Sequence, residues 1–267
     1  MLMATWNRAN IIERAVQSVY DQSFQDWEFI IIDDASTDGT RAFLEKIAEK
    51  DERVRLIRHE RNNYPDISQT LNDGLALAQG KYIARLDDDD YWCDPDKLKK
   101  QVDFLESHPE YIVVGGGTIV VDDDDKERFR YFKLEADKEI RARALFTNPF
   151  THSTVMFRRD AALAVGGYGN FKNAEDWDLW LKLGTKGEFY NLQEYFVRYL
   201  MNDKSKTVIF KRSQSKEILA ILYSHRHQYP NFFSAYMLNA GQYCFSLLPR
   251  FLQKILYTNL SRAKRNL

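Results

Sequence analysis

The sequence has 267 residues, of which 44% are hydrophobic and 29% are charged, and its formal net charge is −1. These totals exclude a low-complexity or fibrous chain and leave room for a sizeable hydrophobic core. No signal peptide is visible, and no apolar run approaches the roughly 18–20 residues of a membrane span. The two cysteines, Cys93 and Cys244, lie far apart and form neither a disulfide framework nor a zinc motif, which indicates a reducing compartment.

Strand and helix patterns alternate through the first ninety residues. In order they are a strand end at Met1–Met3 whose start is absent, helix Asn10–Tyr20, strand Glu28–Ile32, helix Thr40–Glu49, strand Val54–His59, helix Ile67–Gln79 and strand Lys81–Asp87. This alternation predicts a parallel, doubly wound α/β sheet. Neither G-x-G-x-x-G nor G-x-x-x-x-G-K-[ST] occurs, so the usual signatures of dinucleotide and P-loop phosphate binding are missing.

The pattern is less regular after residue 97. The predicted elements are helix Leu98–Leu105, strand Tyr111–Val121, strand Thr151–Arg158, helix Asp160–Val165, helix Glu175–Leu183, and helical sequence from Ile218 with breaks at Pro230 and Pro249. Three glycines, Gly115–Gly117, interrupt the Tyr111–Val121 strand, which predicts a bulge or the close approach of another group.

Two runs of four aspartates follow apolar strands. Asp87–Asp90 ends the Lys81–Asp87 strand, where burial of unpaired charge would be costly, so we expect the run to face water or a cation. Ligands bind at this edge of open α/β sheets, and carboxylates suit Mg²⁺ or Mn²⁺. A solvated acidic turn is the alternative. Asp122–Asp125 precedes an alternating aromatic pattern and predicts a hairpin turn.

A second acidic cluster, formed by Glu175, Asp176 and Asp178, begins the Glu175–Leu183 helix. Acidic residues in a first turn are stabilised by the helix dipole, which explains the cluster without any catalytic role. Burial beside the tryptophans of this helix would instead raise a carboxyl pKa and produce a general base. The local sequence leaves both interpretations open.

With both clusters considered, the chain resembles the family 2 glycosyltransferases of the GT-A fold. The resemblance covers Met1 to about Ser205. It rests on A-T-W-N-R, I-I-I-D-D-A-S-T-D-G-T, L-N-D-G-L-A-L-A-Q-G-K-Y-I-A-R-L-D-D-D-D, H-S-T-V-M-F-R-R and A-E-D-W-D-L-W-L-K-L, in the order and spacing of the family. It implies a GT-A, mostly parallel sheet with a helical C-terminal extension. Its divisions are a nucleotide-sugar half at 1–110, an acceptor half of the same domain at 111–205, and the extension at 206–267.

The resemblance also implies roles for the donor-site residues. Ala4, Thr5 and Trp6 would line the nucleobase, Asp34 would accept the uracil N–H, and Asn72 would lie near the nucleotide. Asp87 and Asp89 would be the metal-binding carboxylates, with Asp87 also able to address the ribose. Asp88 lies between them, on the nucleotide-sugar side, at a position that the family often gives to a small residue.

For catalysis, the resemblance assigns the base to Asp176, with Glu175 as the alternative. The base would deprotonate a glycan or lipid-linked acceptor, whose hydroxyl would displace the nucleoside diphosphate with inversion. Mn²⁺ or Mg²⁺ would act as a Lewis acid on the leaving group. The implied setting is cell-surface polysaccharide synthesis from a nucleotide-sugar, with UDP-sugar favoured and no nucleic-acid partner.

One motif departs from the family pattern. The stretch V-R-Y-L-M-N-D-K-S lacks the histidine that often approaches the metal, and Asn202, Asp203 or water would take its place. His152 is more readily interpreted as a hydrogen-bonded histidine than as a ligand. A non-catalytic sugar-binding relative is therefore the alternative. A nucleotidyltransferase would bring a glycine- and basic-rich loop near the start, and this sequence has none there.

The end of the chain is basic. Residues 1–217 carry a net charge of −7, whereas the fifty residues after Glu217 contain six lysines and arginines and no acidic residue. Leu248, Phe251, Leu252, Ile255, Leu256 and Leu260 recur at helical spacing. The pattern predicts either a helix on an anionic membrane surface or one packed on the domain. The expected location is cytoplasmic, with peripheral attachment at the inner face of the plasma membrane as an option.

Overall fold

The computed structural model describes residues 1–64, 66–201 and 211–248. Its strands are β1 Leu2–Thr5, β2 Phe29–Asp33, β3 Val54–Arg58, β4 Tyr82–Ala84, β5 Tyr91–Trp92, β6 Tyr111–Val121, β7 Glu127–Tyr131, β8 Met156–Arg158 and β9 Glu188–Leu200. Its helices are α1 Ile12–Tyr20, α2 Thr40–Ala48, α3 Ile67–Leu77, α4 Lys97–Ser107, α5 Asp137–Arg143, α6 Arg159–Ala164, α7 Glu175–Leu183, α8 Lys211–Ser224 and α9 Phe232–Leu247.

The first part of the fold is the predicted parallel α/β unit. Strands β1, β2 and β3 pair in parallel, with Leu2 opposite Ile30 and Phe29 opposite Val54. A parallel bridge from Leu2 to Arg85 brings the end of β4 to the other side of β1. The carboxyl ends of β1, β2 and β4 therefore meet at one edge, as expected for an open sheet of this kind.

The second part is a mixed sheet in the order β4-β8-β6-β9-β5, with β7 added to β6 as a hairpin. Strands β6 and β9 are parallel, whereas β8 is antiparallel to both β4 and β6. The sequence did not predict β5, β9 or α5. The partly exposed residues of β9 follow no simple alternation, and its register against β6 shifts at three places.

Two local predictions are confirmed and one is wrong. A Cβ on Gly116 would lie 2.2 Å from the Phe196 ring, so this part of β6 needs glycine for close packing. Asp122–Asp125 forms the β6–β7 turn, with Asp125 at φ 61°. Residues 151–158 are not one strand, because a 3-10 turn at His152–Thr154 precedes β8. The backbone N–H of Thr154 donates to the Thr151 carbonyl, which closes that turn.

One hydrophobic cluster joins both parts: it includes Leu2 and Ile30 from the first sheet, Phe189 from the second sheet and Trp180 from α7. The predicted division at residue 110 remains a prediction. Helices α8 and α9 pack against this core, and the Tyr229 hydroxyl between them donates to the Leu181 carbonyl at 2.8 Å. The amphipathic segment predicted beyond Leu248 lies outside the described residues. Within the described ranges, no helix combines the length and apolar character that crossing a bilayer requires.

Candidate active site

The Asp87–Asp90 run follows β4 and is tied to β1 by a buried arginine. The Arg85 guanidinium donates to the backbone carbonyls of Leu2 and Leu86, and to Asp87 Oδ1 at 2.5 Å. Arg85 is only 2% exposed, so its charge needs the carboxylate beside it. The side chain thereby fixes where the first aspartate of the run points.

Asp90 departs from the prediction that the run faces water or a cation. Its carboxyl is buried, where it accepts the Leu200 N–H at 3.0 Å and the Ser153 hydroxyl at 2.5 Å. Burial and the charges of the neighbouring aspartates raise the pKa of Asp90 well above its usual value. Asp90 therefore joins the acidic run to β9 and to the 3-10 turn at His152–Thr154.

Asp88 joins the acidic run to the A-T-W-N-R segment. One carboxylate oxygen accepts the Trp6 backbone N–H at 3.4 Å, and the other accepts Arg8 Nε–H at 3.1 Å. Burial raises the pKa of Asp88, against the opposing charge of Arg8. Ala4 and Thr5 are buried in β1, whereas Trp6 is 46% exposed and free to stack on a planar ring. The predicted approach of these two motifs is thus present.

Asp89 carries the chemistry expected of a cation site. Burial, and then the charges of Asp88 and Asp87, raise its pKa to about 7, because its negative charge lacks full compensation. Its Oδ2 lies 3.6 Å from the guanidinium of Arg8, the cation that now faces it. Among the described residues, no group of three acidic, histidine or cysteine side chains forms a complete metal site. Mg²⁺ and related ions typically take one or two carboxylates and complete their shell with substrate phosphates and water, so these aspartates fit such an ion.

Asp34 lies at the end of β2, where its carboxylate already has protein partners. Oδ1 is 2.7 Å from His59 Nδ1, and Oδ2 accepts the Asn63 N–H at 3.0 Å. Its own backbone N–H donates to the Thr5 carbonyl, so Asp34 is next to the A-T-W segment. Each carboxylate oxygen can accept more than one hydrogen bond, which leaves capacity for a ligand N–H.

Asn72 contacts the loop that leads to α7. Its amide nitrogen donates to the Tyr168 carbonyl at 2.9 Å, and its amide oxygen accepts the Tyr168 N–H at 2.8 Å. Gly166 and Gly167 precede this point with φ of 81° and 66°, a conformation that glycine adopts without strain. Asn72 therefore holds the loop between the two acidic clusters.

Asp176 is a half-buried acid in the first turn of α7. Its Oδ2 accepts Asn148 Nδ2–H at 2.7 Å and its Oδ1 accepts the Trp177 N–H at 2.7 Å. Burial raises its pKa above the usual value, and the charge of Asp87 raises it further, against these hydrogen bonds and the charge of Lys133. A carboxylate with a raised pKa, close to the acidic run, is suited to general-base chemistry. The neighbouring Glu175 is also half-buried.

The third acid of that cluster, Asp178, has a structural environment. It is buried, and its carboxylate lies 2.6 Å from Lys182 Nζ and 3.0 Å from His225 Nε2 in the α8–α9 connection. Burial alone would raise its pKa, but the hydrogen bonds from His225 and Lys182 outweigh burial and lower it. Asp178 thus fastens the C-terminal helices to α7.

His152 lies beside Asp87 and contacts Tyr168. His152 Nε2 accepts Arg85 Nε–H at 3.0 Å and lies 3.0 Å from the Tyr168 hydroxyl, while Nδ1 is 3.6 Å from Asp87 Oδ1. The interpretation of His152 as a hydrogen-bonded histidine is confirmed. The sequence analysis did not predict that Arg85, Asn148, Ser153 and Tyr168 contact the acidic residues of the site. Of these four, only Arg85 has a local signal, because it lies next to the acidic run in the sequence.

Three comparisons with known proteins identify the family and the fold. The family model "Glycosyl transferase family 2" matches residues 1–166. Putative glycosyltransferase EpsE of Bacillus subtilis is 37% identical over 205 residues, covering 74% of this chain and 72% of the relative. The putative teichuronic acid biosynthesis glycosyltransferase TuaG of the same organism is 32% identical, covering 77% and 79%. WfaP of Escherichia coli, a UDP-Glc:α-D-GlcNAc-diphosphoundecaprenol β-1,3-glucosyltransferase, is 29% identical, covering 70% of each chain.

Solved structures share the fold. Staphylococcus aureus TarS, residues 1–349 with UDP-GlcNAc, superposes with a TM-score of 0.66 at 20% identity, covering 83% of this chain and 65% of that one. Mannosyltransferase PcManGT from Pyrobaculum calidifontis, in complex with GDP-Man and Mn²⁺, has the same TM-score at 17% identity, covering 98% and 79%. At these identities the likeness establishes the GT-A fold. The chain is a glycosyltransferase and belongs to glycosyl transferase family 2.

Proposed function

We propose that this enzyme moves a sugar from a UDP-sugar to a hydroxyl of a glycan or lipid-linked acceptor, with inversion, in cell-surface polysaccharide synthesis. One observation carries the proposal: Asp176 is a half-buried carboxyl held by Asn148 Nδ2–H and the Trp177 N–H, and burial and the charge of Asp87 raise its pKa. An in-line displacement requires a base on the side of the nucleophile and a cation-attracting cluster on the side of the leaving group.

On the donor side, Ala4, Thr5 and Trp6 line the nucleobase, and Asp34 accepts its imide N–H. Asp87 and Asp89 would hold Mn²⁺ or Mg²⁺, which would supply Lewis-acid stabilisation of the leaving diphosphate. Arg8, beside Asp88 and Asp89, would supply a guanidinium able to donate to diphosphate oxygens. Asn72 lies near the nucleotide and holds the Tyr168 loop in place.

On the acceptor side, Asp176 takes the hydroxyl proton as the oxygen attacks the anomeric carbon. Asn148 and the Trp177 N–H hold the two carboxylate oxygens in place. Glu175 remains the alternative base. A lipid-linked acceptor is supported by the relative WfaP, whose name specifies a diphosphoundecaprenol substrate.

A membrane-borne acceptor makes peripheral attachment at the inner face of the plasma membrane useful. The basic sequence after Glu217 supports this location. We expect deletion of Leu248–Leu267 to release the protein from anionic liposomes. Co-sedimentation that survives the deletion would exclude this segment as the anchor.

Calorimetric titration of UDP with and without Mn²⁺ tests the donor site. Wild type should bind UDP in a Mn²⁺-dependent way, and Asp89→Ala should lose the Mn²⁺ effect. Asp124→Ala, in the equally acidic hairpin turn, is the matched control and should bind as wild type. Metal-independent binding, or an equal loss in both variants, would contradict the assignment of Asp89.

A further inference from the structure

The C-terminal helix α9 has an exposed face without a single charge. Its sixteen residues, FFSAYMLNAGQYCFSL, include no Asp, Glu, Lys or Arg. Phe233 is 76% exposed, Met237 56% and Leu247 42%, and Cys244 is also exposed. With the half-buried Ala240, these residues recur at spacings of four and three, which places them on one side of the helix. We name them the α9 stripe: Phe233, Met237, Ala240, Cys244 and Leu247.

The opposite side of α9 fixes the helix to the catalytic domain. Ala235 and Asn239 are buried, and Asn239 Nδ2 donates to the carbonyls of Ala235 at 2.9 Å and Leu145 at 3.4 Å. Asn231, just before the helix, donates to the Ala142 carbonyl at 3.2 Å. The stripe is therefore held outward by a helix whose inner face is already packed.

We propose that the α9 stripe inserts into the surface of an anionic lipid bilayer. An exposed apolar face of this size needs a cover, because soluble surfaces rarely keep such patches contiguous. A helical partner is disfavoured: helices that associate through a 4-3 spacing usually carry charged residues on the flanks, and α9 has none. A lipid surface requires no charge on the inserted helix itself.

Basic residues near the stripe favour an anionic lipid. Arg226, in the connection that precedes α9, lies over the Tyr223 ring at 4.2 Å, and Tyr223 is 56% exposed. In the sequence, residues 249–267 follow α9 with five lysines and arginines and no acidic residue. Apolar insertion combined with neighbouring cations gives the two signals that stable peripheral attachment needs, and tyrosine is favoured at the membrane–water boundary.

Helix α9 is also connected, through residues 142–148, to the proposed acceptor side of the active site. Asn231 and Asn239 hold the segment 142–145, and three residues later Asn148 donates to Asp176. Trp177, next to that base, donates its ring N–H to the Ala144 carbonyl at 2.7 Å. A short, well-bonded stretch therefore connects the lipid-facing helix with the base.

Flotation of the full-length protein with vesicles tests the stripe. The probe is phosphatidylglycerol in phosphatidylcholine, against phosphatidylcholine alone. We expect wild type to float with the anionic vesicles, and Phe233→Ser/Met237→Ser to weaken this by about tenfold or more, since two large apolar side chains would no longer be buried. The control is Leu77→Ser/Leu163→Ser. These two leucines are 41% and 40% exposed and lie on other helices, so the variant should float as wild type does.

Three results would overturn the proposal: unchanged flotation of the stripe variant, an equal loss in the leucine control, or a wild-type dimer in sedimentation velocity that the stripe variant dissociates. Thermal unfolding of each variant separates misfolding from a lost surface. Calorimetric binding of UDP separates this proposal from the proposed function. If the protein floats through the stripe but does not bind UDP, the proposed lipid-binding surface stands and the proposed donor site is refuted.

Discussion

Removing the Asn148 amide should raise the pH below which Asp176 is protonated and can no longer act as a base. Asn148 donates to Asp176 Oδ2 at 2.7 Å and so favours the charged form of a carboxyl whose pKa burial has raised. A hydrogen bond to a charged group contributes about 1.5–3 kcal/mol. Because one pKa unit is about 1.4 kcal/mol, Asn148→Ala should raise the pKa of Asp176 by roughly one to two units.

The assay is the pH dependence of kcat/KM. Asp176 acts when deprotonated, so activity falls as the pH drops through its pKa, and the acidic limb of Asn148→Ala should lie at higher pH than that of wild type. Above the limb the variant should recover most of its activity. Asn239→Ala is the control, because Asn239 holds the same segment without touching Asp176. An unmoved limb, a pH-independent loss, or an equal shift in the control would refute the role of Asn148.

Other substitutions separate catalytic from structural groups. Asp178→Asn should destabilise the fold by about 3–5 kcal/mol at neutral pH, because it breaks a buried ion pair. Since the pKa of Asp178 is lowered in the folded protein, wild type loses this stabilisation as the pH falls through that pKa. The difference in Tm between wild type and variant should therefore shrink in acid. UDP binding by the folded variant should be unchanged, and a loss of binding without a loss of Tm would contradict this role. Gly116→Ala should cost about 1–3 kcal/mol, since its Cβ would overlap the Phe196 ring. Gly241→Ala, on α9 with no atom within 4 Å, should instead raise Tm, and similar losses in both glycine variants would show that the clash is not the cause.

Local sequence patterns predicted the elements whose environment is regular. Strand β6 and helix α7 have the predicted bounds, because an apolar run and an apolar helical stripe directly reflect burial. The parallel start of the sheet followed from strand–helix alternation. Strand β9 was missed because its half-exposed sequence pairs with β6, 76 to 79 residues earlier, with shifts of register that no local pattern encodes.

For the site, as for the fold, local motifs were visible in the sequence and distant contacts were not. The acidic run and the acid at the start of α7 are visible as motifs, and the fold brings them into electrostatic range of each other. The burial of Asp90 was not visible, because its partners, Ser153 and Leu200, lie 63 and 110 residues away. The same holds for Asn148, which is 28 residues from the carboxylate it orients. Side chains that act through such distant contacts carry no signal in their own neighbourhood.

The most direct test of the central claim is the configuration of the sugar that the enzyme first releases. Proton NMR of an α-linked UDP-sugar with Mn²⁺, in which water serves as the acceptor, would follow the anomeric signals from the first turnovers. Inversion with Asp176 as the base predicts that the β-anomer appears first, and that Asp176→Asn loses this turnover while it still binds UDP. Initial release of the α-anomer, or undiminished turnover in Asp176→Asn, would contradict the account.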